Sequence, residues 1–446
     1  MEMVGSTSML LAFRAENTRS FREELDFSLE ATALAESGVP REVPWRVGGH
    51  PLRLLPAAGL FGANASGKTN LLKALDDLRG HVLHSFRAGG PSRRIPRSPF
   101  RLDGAVEKPT CLEIDLILDG VRHEYGIRFD DHRVIEEWAY RYPRGRAALL
   151  FRRDGDEVEL GAANRSKGRA VLEVMRPNAL FLSAAAAAGH PDLLPIYEWF
   201  EGNLLLAEAS SRTQRWAFTA QLLHRKETRE LVLPLIRAAD LGITDVKIRP
   251  LDPQTVERLR RIVEILNGQD EEAEDEGSEI KITELGVTLS HRAAGDDVDF
   301  DVKDESLGTL VWLGLIGPVV DALTRGSVLL ADELEASLHP ALVTRLVGLF
   351  QEPESNPFNA QLIFSSHDVS LLGGAEGDRV LGRDQIWFTE KLPDGSTRLY
   401  PLSDLGPRKE EAIGRRYLAG RYGATPIVSH EEFTEIARNI TESECG

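Results

Sequence analysis

Gly62-Ala63-Asn64-Ala65-Ser66-Gly67-Lys68-Thr69 decides how this chain is read. The stretch satisfies G-x-x-x-x-G-K-[ST]. It sits between an apolar run at 52–60 and residues 68–78, whose apolar positions recur at helical spacing. Strand, glycine loop and helix in that order leave backbone N–H groups unpaired at a positive helix end, where a phosphate chain can settle. The expected ligand is ATP with Mg²⁺. Residues 62–69 and Asn70 wrap the phosphates, Lys68 reaches the β and γ groups, and the Thr69 hydroxyl binds the metal.

Val328-Leu329-Leu330-Ala331-Asp332-Glu333 has the form of a parallel strand buried on both faces and ending in two carboxylates. In an open α/β sheet the strand ends present the ligand site. Asp332 is expected to hold Mg²⁺ directly or through water, and Glu333 to act as general base on the attacking water. Three weaker segments follow the same order. Ser306-Leu307-Gly308-Thr309 precedes an apolar helix, Ser337-Leu338-His339-Pro340 follows the acidic pair, and Ile363-Phe364-Ser365-Ser366-His367-Asp368 ends another apolar strand. Singly, Ser306 reads as a helix cap and His367 as a loop histidine. In sequence they read as one site, with His367 contacting a γ-phosphate.

That order resembles the ATPase heads of the ABC superfamily, in the branch containing SMC, Rad50 and RecF proteins and the OLD-family ATPases. GANASGKTNLLKAL, DELEASLHP and IFSSHD look like the stand-alone AAA-family ATPases of bacterial anti-phage systems, of the RloA, AriA and PtuA type. FRAENTRSF is similar to their opening strand turn, with Thr18 in place of an aromatic, and RPNALFLSAAA and RRYLAGRYGATP also look like segments of that group. The resemblance implies that Ser306 and Gly308 act on nucleotide held by a second copy in a head-to-head homodimer. It further implies that residues 337–339 line that interface and that His367 is a switch histidine. Two departures stand out. The Ser306 segment is not the transporter signature, and no Gln precedes Gln214, so a polar group in 98–103 must replace the usual magnesium-sensing glutamine or the coupling differs. No D-x-D pair follows His367, so nuclease activity is not expected in this chain and an effector should be a separate polypeptide.

The expected fold is α/β: an ABC-type P-loop head with a mixed central sheet, an antiparallel meander at 110–160 and a helical insertion. Residues 1–190 form the N-terminal half of the head, 191–268 a helical arm, 269–279 an acidic linker and 280–446 the C-terminal half. With 446 residues and a formal net charge of −17, the chain can bury a large core but does not attract nucleic acid as a whole. Any DNA contact would be local, at Arg87, Arg93, Arg94, Arg97 and Arg101 or at Arg408, Lys409, Arg415, Arg416 and Arg421. Two distant cysteines, Cys111 and Cys445, fit a reducing cytoplasm. The N-terminus lacks signal-peptide character, and the apolar runs at 179–189 and 310–323 are short for a membrane span. The expected function is a nucleotide-gated defence ATPase, dimeric or higher, that controls a partner effector. A RecF/Rad50-like DNA-clamping ATPase is the alternative, and a scaffold that merely holds ATP a third.

Overall fold

The computed structural model describes residues 8–87, 90, 92–162, 165–208, 211–250, 285–373, 380–426 and 433–435; the acidic linker and the end of the arm lie outside them. In chain order, β1 (Ser8–Glu16) and β2 (Leu25–Ser28) flank a turn, β3 (Arg41–Val43) and β4 (Leu52–Leu54) make a small ribbon, and β5 (Ala57–Gly62) leads into α1 (Lys68–His84). Pro56, with its fixed φ and no N–H, divides the apolar run at 52–60 into two strands. The alternating stretch after residue 110 forms β6 (Thr110–Leu118), β7 (Val121–Phe129), β8 (Val134–Arg141), β9 (Ala148–Asp154) and β10 (Glu157–Leu160). Together with β1 and β2 these strands make a seven-stranded antiparallel sheet, ordered β10-β9-β8-β7-β6-β1-β2.

Next come α2 (Arg165–Leu172), α3 (Phe181–Ala187), α4 (Leu194–Gly202), β11 (Leu204–Ala207), α5 (Arg212–His224), α6 (Lys226–Ala238) and β12 (Ile243–Pro250). The described residues of the region 191–268 therefore hold three helices and two strands. Leu204-Leu205-Leu206-Ala207 pairs in parallel with the acidic strand, because a four-residue apolar run serves a buried strand as well as a helix. The chain resumes with β13 (Leu285–His291), β14 (Val298–Asp301), α7 (Leu307–Arg325), β15 (Val328–Ala331), α8 (Pro340–Gln351), β16 (Gln361–Ser365), β17 (Ile386–Lys391), β18 (Thr397–Pro401) and α9 (Ile413–Leu418). Strands β12, β13 and β14 form a separate antiparallel sheet.

The central sheet runs β11-β15-β16-β5-β17-β18, parallel except for β18. Its inner strands β5, β15 and β16 are buried at every residue because both faces are covered. Ala58, Leu60, Leu330 and Ile363 face a core shared with α1 and the antiparallel sheet. Ala57, Phe61, Leu329, Ala331, Leu362 and Phe364 face the core formed with α6, α7 and α8. Helix α7 is long and apolar enough to cross a membrane, yet 72% of its most apolar window is buried inside the fold. Its Gly317 lies so close to α5 that a Cβ there would stand 2.3 Å from Thr219 Oγ1.

The segments RPNALFLSAAA and RRYLAGRYGATP act as joints. Buried Glu137 accepts the Phe181 and Leu182 amides at 2.6 and 2.9 Å, capping α3, while Arg153 donates to Ala179 O at 2.7 Å. Tyr417 and Tyr422 stack on Phe388 of β17, so the later segment braces the back of the central sheet.

Candidate nucleotide site

Strand β16 lies between β5 and β15, so the ends of the P-loop strand and the acidic strand face each other across one neighbour. The neighbour's last residue ties them together. Ser365 Oγ donates to Asp332 Oδ1 at 2.6 Å and accepts the Glu333 N–H at 2.8 Å. Thr69 Oγ1 donates to the same Asp332 oxygen at 2.8 Å. Two motifs far apart in sequence thus meet at a cluster of hydroxyl and carboxylate oxygens.

Lys68 opens α1 and is only 6% exposed. Its Nζ donates to Gly62 O at 2.9 Å and Ala63 O at 3.0 Å. Burial pushes its pKa down to about 8, against the opposing pull of Glu335, Asp332 and Glu333. The loop itself is wedged. Gly67 has φ 108, and a Cβ there would meet Thr397 Oγ1 at 2.4 Å and Ser20 Oγ at 2.8 Å, so only glycine fits. Thr397 Oγ1 donates to Ser66 O at 2.8 Å, Asn70 Nδ2 donates to Ser20 Oγ at 2.8 Å, and Ser66 Oγ lies 2.6 Å from Thr389 Oγ1. Asn64 and Ala65, at the loop's tip, are exposed, and Ala65 also has a positive φ of 59.

Glu333 follows β15 with a φ of 50, a left-handed conformation that costs a non-glycine residue about 1–2 kcal/mol. The turn leaves its side chain exposed while Leu334 returns to the core. The His367 imidazole is also exposed. Its pKa is lowered by partial burial and by the charge of Lys68, which keeps the ring neutral over a wider pH range.

Ser306 caps α7: its Oγ accepts the Thr309 N–H at 3.1 Å and lies 2.9 Å from Thr309 Oγ1. Gly308 abuts the 337 loop, where a Cβ would stand 2.8 Å from Ser337 O. No hydrogen bond among the described residues joins 306–309 to the P-loop. The segment 98–103 docks on the β1–β2 turn, with Phe100 N donating to Asn17 Oδ1 at 3.1 Å, and none of its described residues bonds Thr69 or Asp332.

The groups present suit magnesium and polyphosphate. Thr69, Asp332 and Ser365 offer hard oxygen donors, and the amides of Gly67, Lys68 and Thr69 donate to nothing among the described residues. Sequence reading gave Ser365 no role of its own and passed over Glu335, Thr389, Thr397 and Ser20. Glu335 carries a usable signal, a third carboxylate two residues beyond Glu333 at a strand end. The hydroxyls of Thr389, Thr397 and Ser20 carry none, since they come from elements remote in sequence.

Comparison with known proteins adds a family. No curated protein matches the chain. Solved structures similar to it include the Smc head bound to the C-winged helix domain of ScpA (14% identity, 89% of this chain and 99% of that one, TM-score 0.43). The SMC head domain from Thermotoga maritima is similar too (10% identity, 88% and 98%, TM-score 0.39). So is the Smc head with an extended coiled coil bound to the C-terminal domain of ScpA, derived from Pyrococcus furiosus (14% identity, 89% and 98%, TM-score 0.37). A likeness at these scores is too slight to bear on function. Residues 57–373 match the family model described as "AAA domain, putative AbiEii toxin, Type IV TA system". That match runs through every residue of the site from Gly62 to His367, and the chain belongs to this AAA domain family.

Proposed function

We propose that this chain is an ATP-hydrolysing switch that closes head-to-head with a second copy and gates a separate effector in prokaryotic anti-phage defence. The observation that carries the reading is the Thr69–Asp332 hydrogen bond, which brings the P-loop and the acidic strand to one point. Magnesium bound there would neutralise charge on the β and γ phosphates. Lys68 leaves the Gly62 and Ala63 carbonyls for the phosphates, Glu333 takes the proton of the attacking water, and His367 contacts the γ-phosphate. Ser306 and Gly308 complete the site of the other copy, and the exposed N-terminus of α7 is suited to grip an anion that approaches from outside the chain.

A family described by a Type IV TA system supports a regulatory setting. DNA clamping has weaker support. Arg93, Arg94 and Arg97 line a cavity of about 960 Å³, but Asp76, Asp77 and Glu208 line it as well. Arg97 is engaged by Asp131 and by the Lys108 and Val106 carbonyls, and Arg416 by Glu411.

Mass photometry of wild type and Glu333→Gln with and without Mg-ATP tests the reading, because loss of the general base traps an ATP-closed dimer. The expected result is an ATP-dependent gain in mass for Glu333→Gln, abolished by Lys68→Ala. Mass that never responds to ATP overturns nucleotide-driven closure.

A further inference from the structure

Strand β11 ends the central sheet, and the cavity of about 960 Å³ lies at that edge. Helix α1 lines it between Asp76 and Ser85, while α5 and Pro318 of α7 line it from the other face of the sheet. Its volume is at the upper end of the range of about 300–1,000 Å³ usual for small-molecule sites. None of residues 62–70 lines it, nor do Asp332, Glu333 or His367. At the usual helical rise, Asp76 stands about 12 Å along α1 from Lys68. The cavity is therefore separate from the nucleotide site.

Six arginines line it, Arg19, Arg79, Arg93, Arg94, Arg97 and Arg215, against three carboxylates. Each carboxylate already has a cation beside it. Asp77 accepts from Arg19 at 2.6 and 2.8 Å, Asp76 lies 3.8 Å from Arg79, and Glu208 lies 3.0 Å from Lys73. The wall is cationic on balance, in a chain whose net charge is −17. The loop that carries three of the arginines is fastened to its surroundings. Asn178 Nδ2 donates to Gly90 O at 3.0 Å and to Arg93 O at 2.9 Å, Ile95 N donates to Asp131 O at 2.8 Å, and Arg19 N donates to Ser98 O at 2.5 Å. Arg97 is spent on Asp131 and on two carbonyls. Arg94, by contrast, stands exposed and makes no hydrogen bond or ion pair among the described residues. Half-buried Leu205, Leu206 and Phe218 give the cavity an apolar wall as well.

A guanidinium on a fastened loop suits a phosphate, whose oxygens match its fork of donors. Apolar side chains beside it suit the body to which that phosphate is attached. We propose that the cavity binds a small phosphate ester with an apolar, planar body, in the form of a nucleoside monophosphate, and that Arg94 receives the phosphate. The proposal needs nothing from the P-loop.

AMP is the probe, because it lacks the β and γ phosphates that a P-loop grips. Calorimetric titration in about 0.15 M salt, which screens charges more than about 8 Å apart, should show one site per chain with a Kd of about 1 mM or tighter. Arg94→Glu should weaken binding by about 10-fold or more at an unchanged melting temperature. Ribose 5-phosphate, the same anion without the ring, should bind about 10-fold or more weakly than AMP. Lys68→Ala should bind AMP within about 3-fold of wild type. A Kd for AMP weaker than about 1 mM overturns the proposal. Binding that Arg94→Glu leaves intact overturns it too, and binding that Lys68→Ala abolishes puts AMP on the P-loop instead. Equal affinity for ribose 5-phosphate removes the apolar body from the ligand and overturns the assigned class.

Discussion

At the P-loop end of the site, Thr69 and Ser365 both bond Asp332, Lys68 rests on two carbonyls, and Gly67 is wedged against Thr397 and Ser20. At the Ser306 end, the hydroxyl turns back on its own helix at Thr309, and Leu307 stands 49% exposed. The first end is a network whose members hold one another from five regions of the chain. The second is a finished helix cap that asks nothing of the P-loop. On the proposed reading, one chain grips phosphate alone, and the Ser306 end acts only across an encounter with another copy.

The largest expected effect that sharpens this contrast comes from Ser306→Arg. Turnover should fall by about 100-fold while ATP affinity of the isolated chain stays within about 3-fold, as steady-state kinetics and titration would show. An equal loss of affinity would break the contrast by placing Ser306 beside the same chain's phosphates. The next effect is one of pH. Below about 8, Lys68 is protonated with or without nucleotide, so affinity should be flat. Above that value the free chain gives up the proton first, while phosphate restores it, so binding takes up a proton. Affinity should then weaken by up to about 10-fold per pH unit toward 10.5, the ordinary value for a lysine. Calorimetry in buffers of different ionisation enthalpy would count that proton, and Ser306→Ala should show the same profile. The smallest effect separates the two ends by stability. Thr397→Val removes a hydroxyl from Ser66 O and should cost about 1 kcal/mol in thermal unfolding as well as weaken nucleotide binding. Ser306→Ala should cost a similar amount, about 1 kcal/mol for a lost cap, and leave binding by the isolated chain alone.

The sequence made the strand–loop–helix around Lys68 legible because each piece has a local signature: an apolar run, fixed glycines and helical spacing. Strand β15 was equally plain, since an apolar run capped by Asp332 and Glu333 has few other readings. Strand β11 was not, because its four apolar residues lie among helices and only pairing with Val328 to Ala331 makes them a strand. The bracing hydroxyls of Ser20, Thr389 and Thr397 were illegible for the same reason: single small polar residues carry no pattern, and their roles exist only once β17, β18 and the β1–β2 turn have met the P-loop. Ser365 and Glu335 were half legible. Both stand in recognised segments, but pairwise geometry, not residue type, gives each its partner.

Strands β12 and β13 meet at Pro250 and Leu285, which face each other in an antiparallel ladder. The stretch of sequence from 251 to 284 is thus bounded at both ends by a single rung. The rung works as a socket. A chain in which a tight Asn-Gly turn joins 250 to 285 should keep both strands in register, since such turns match the twist of a two-stranded ribbon. The proposed catalytic groups all lie outside that span of the sequence, so a chain closed in this way still carries every one of them.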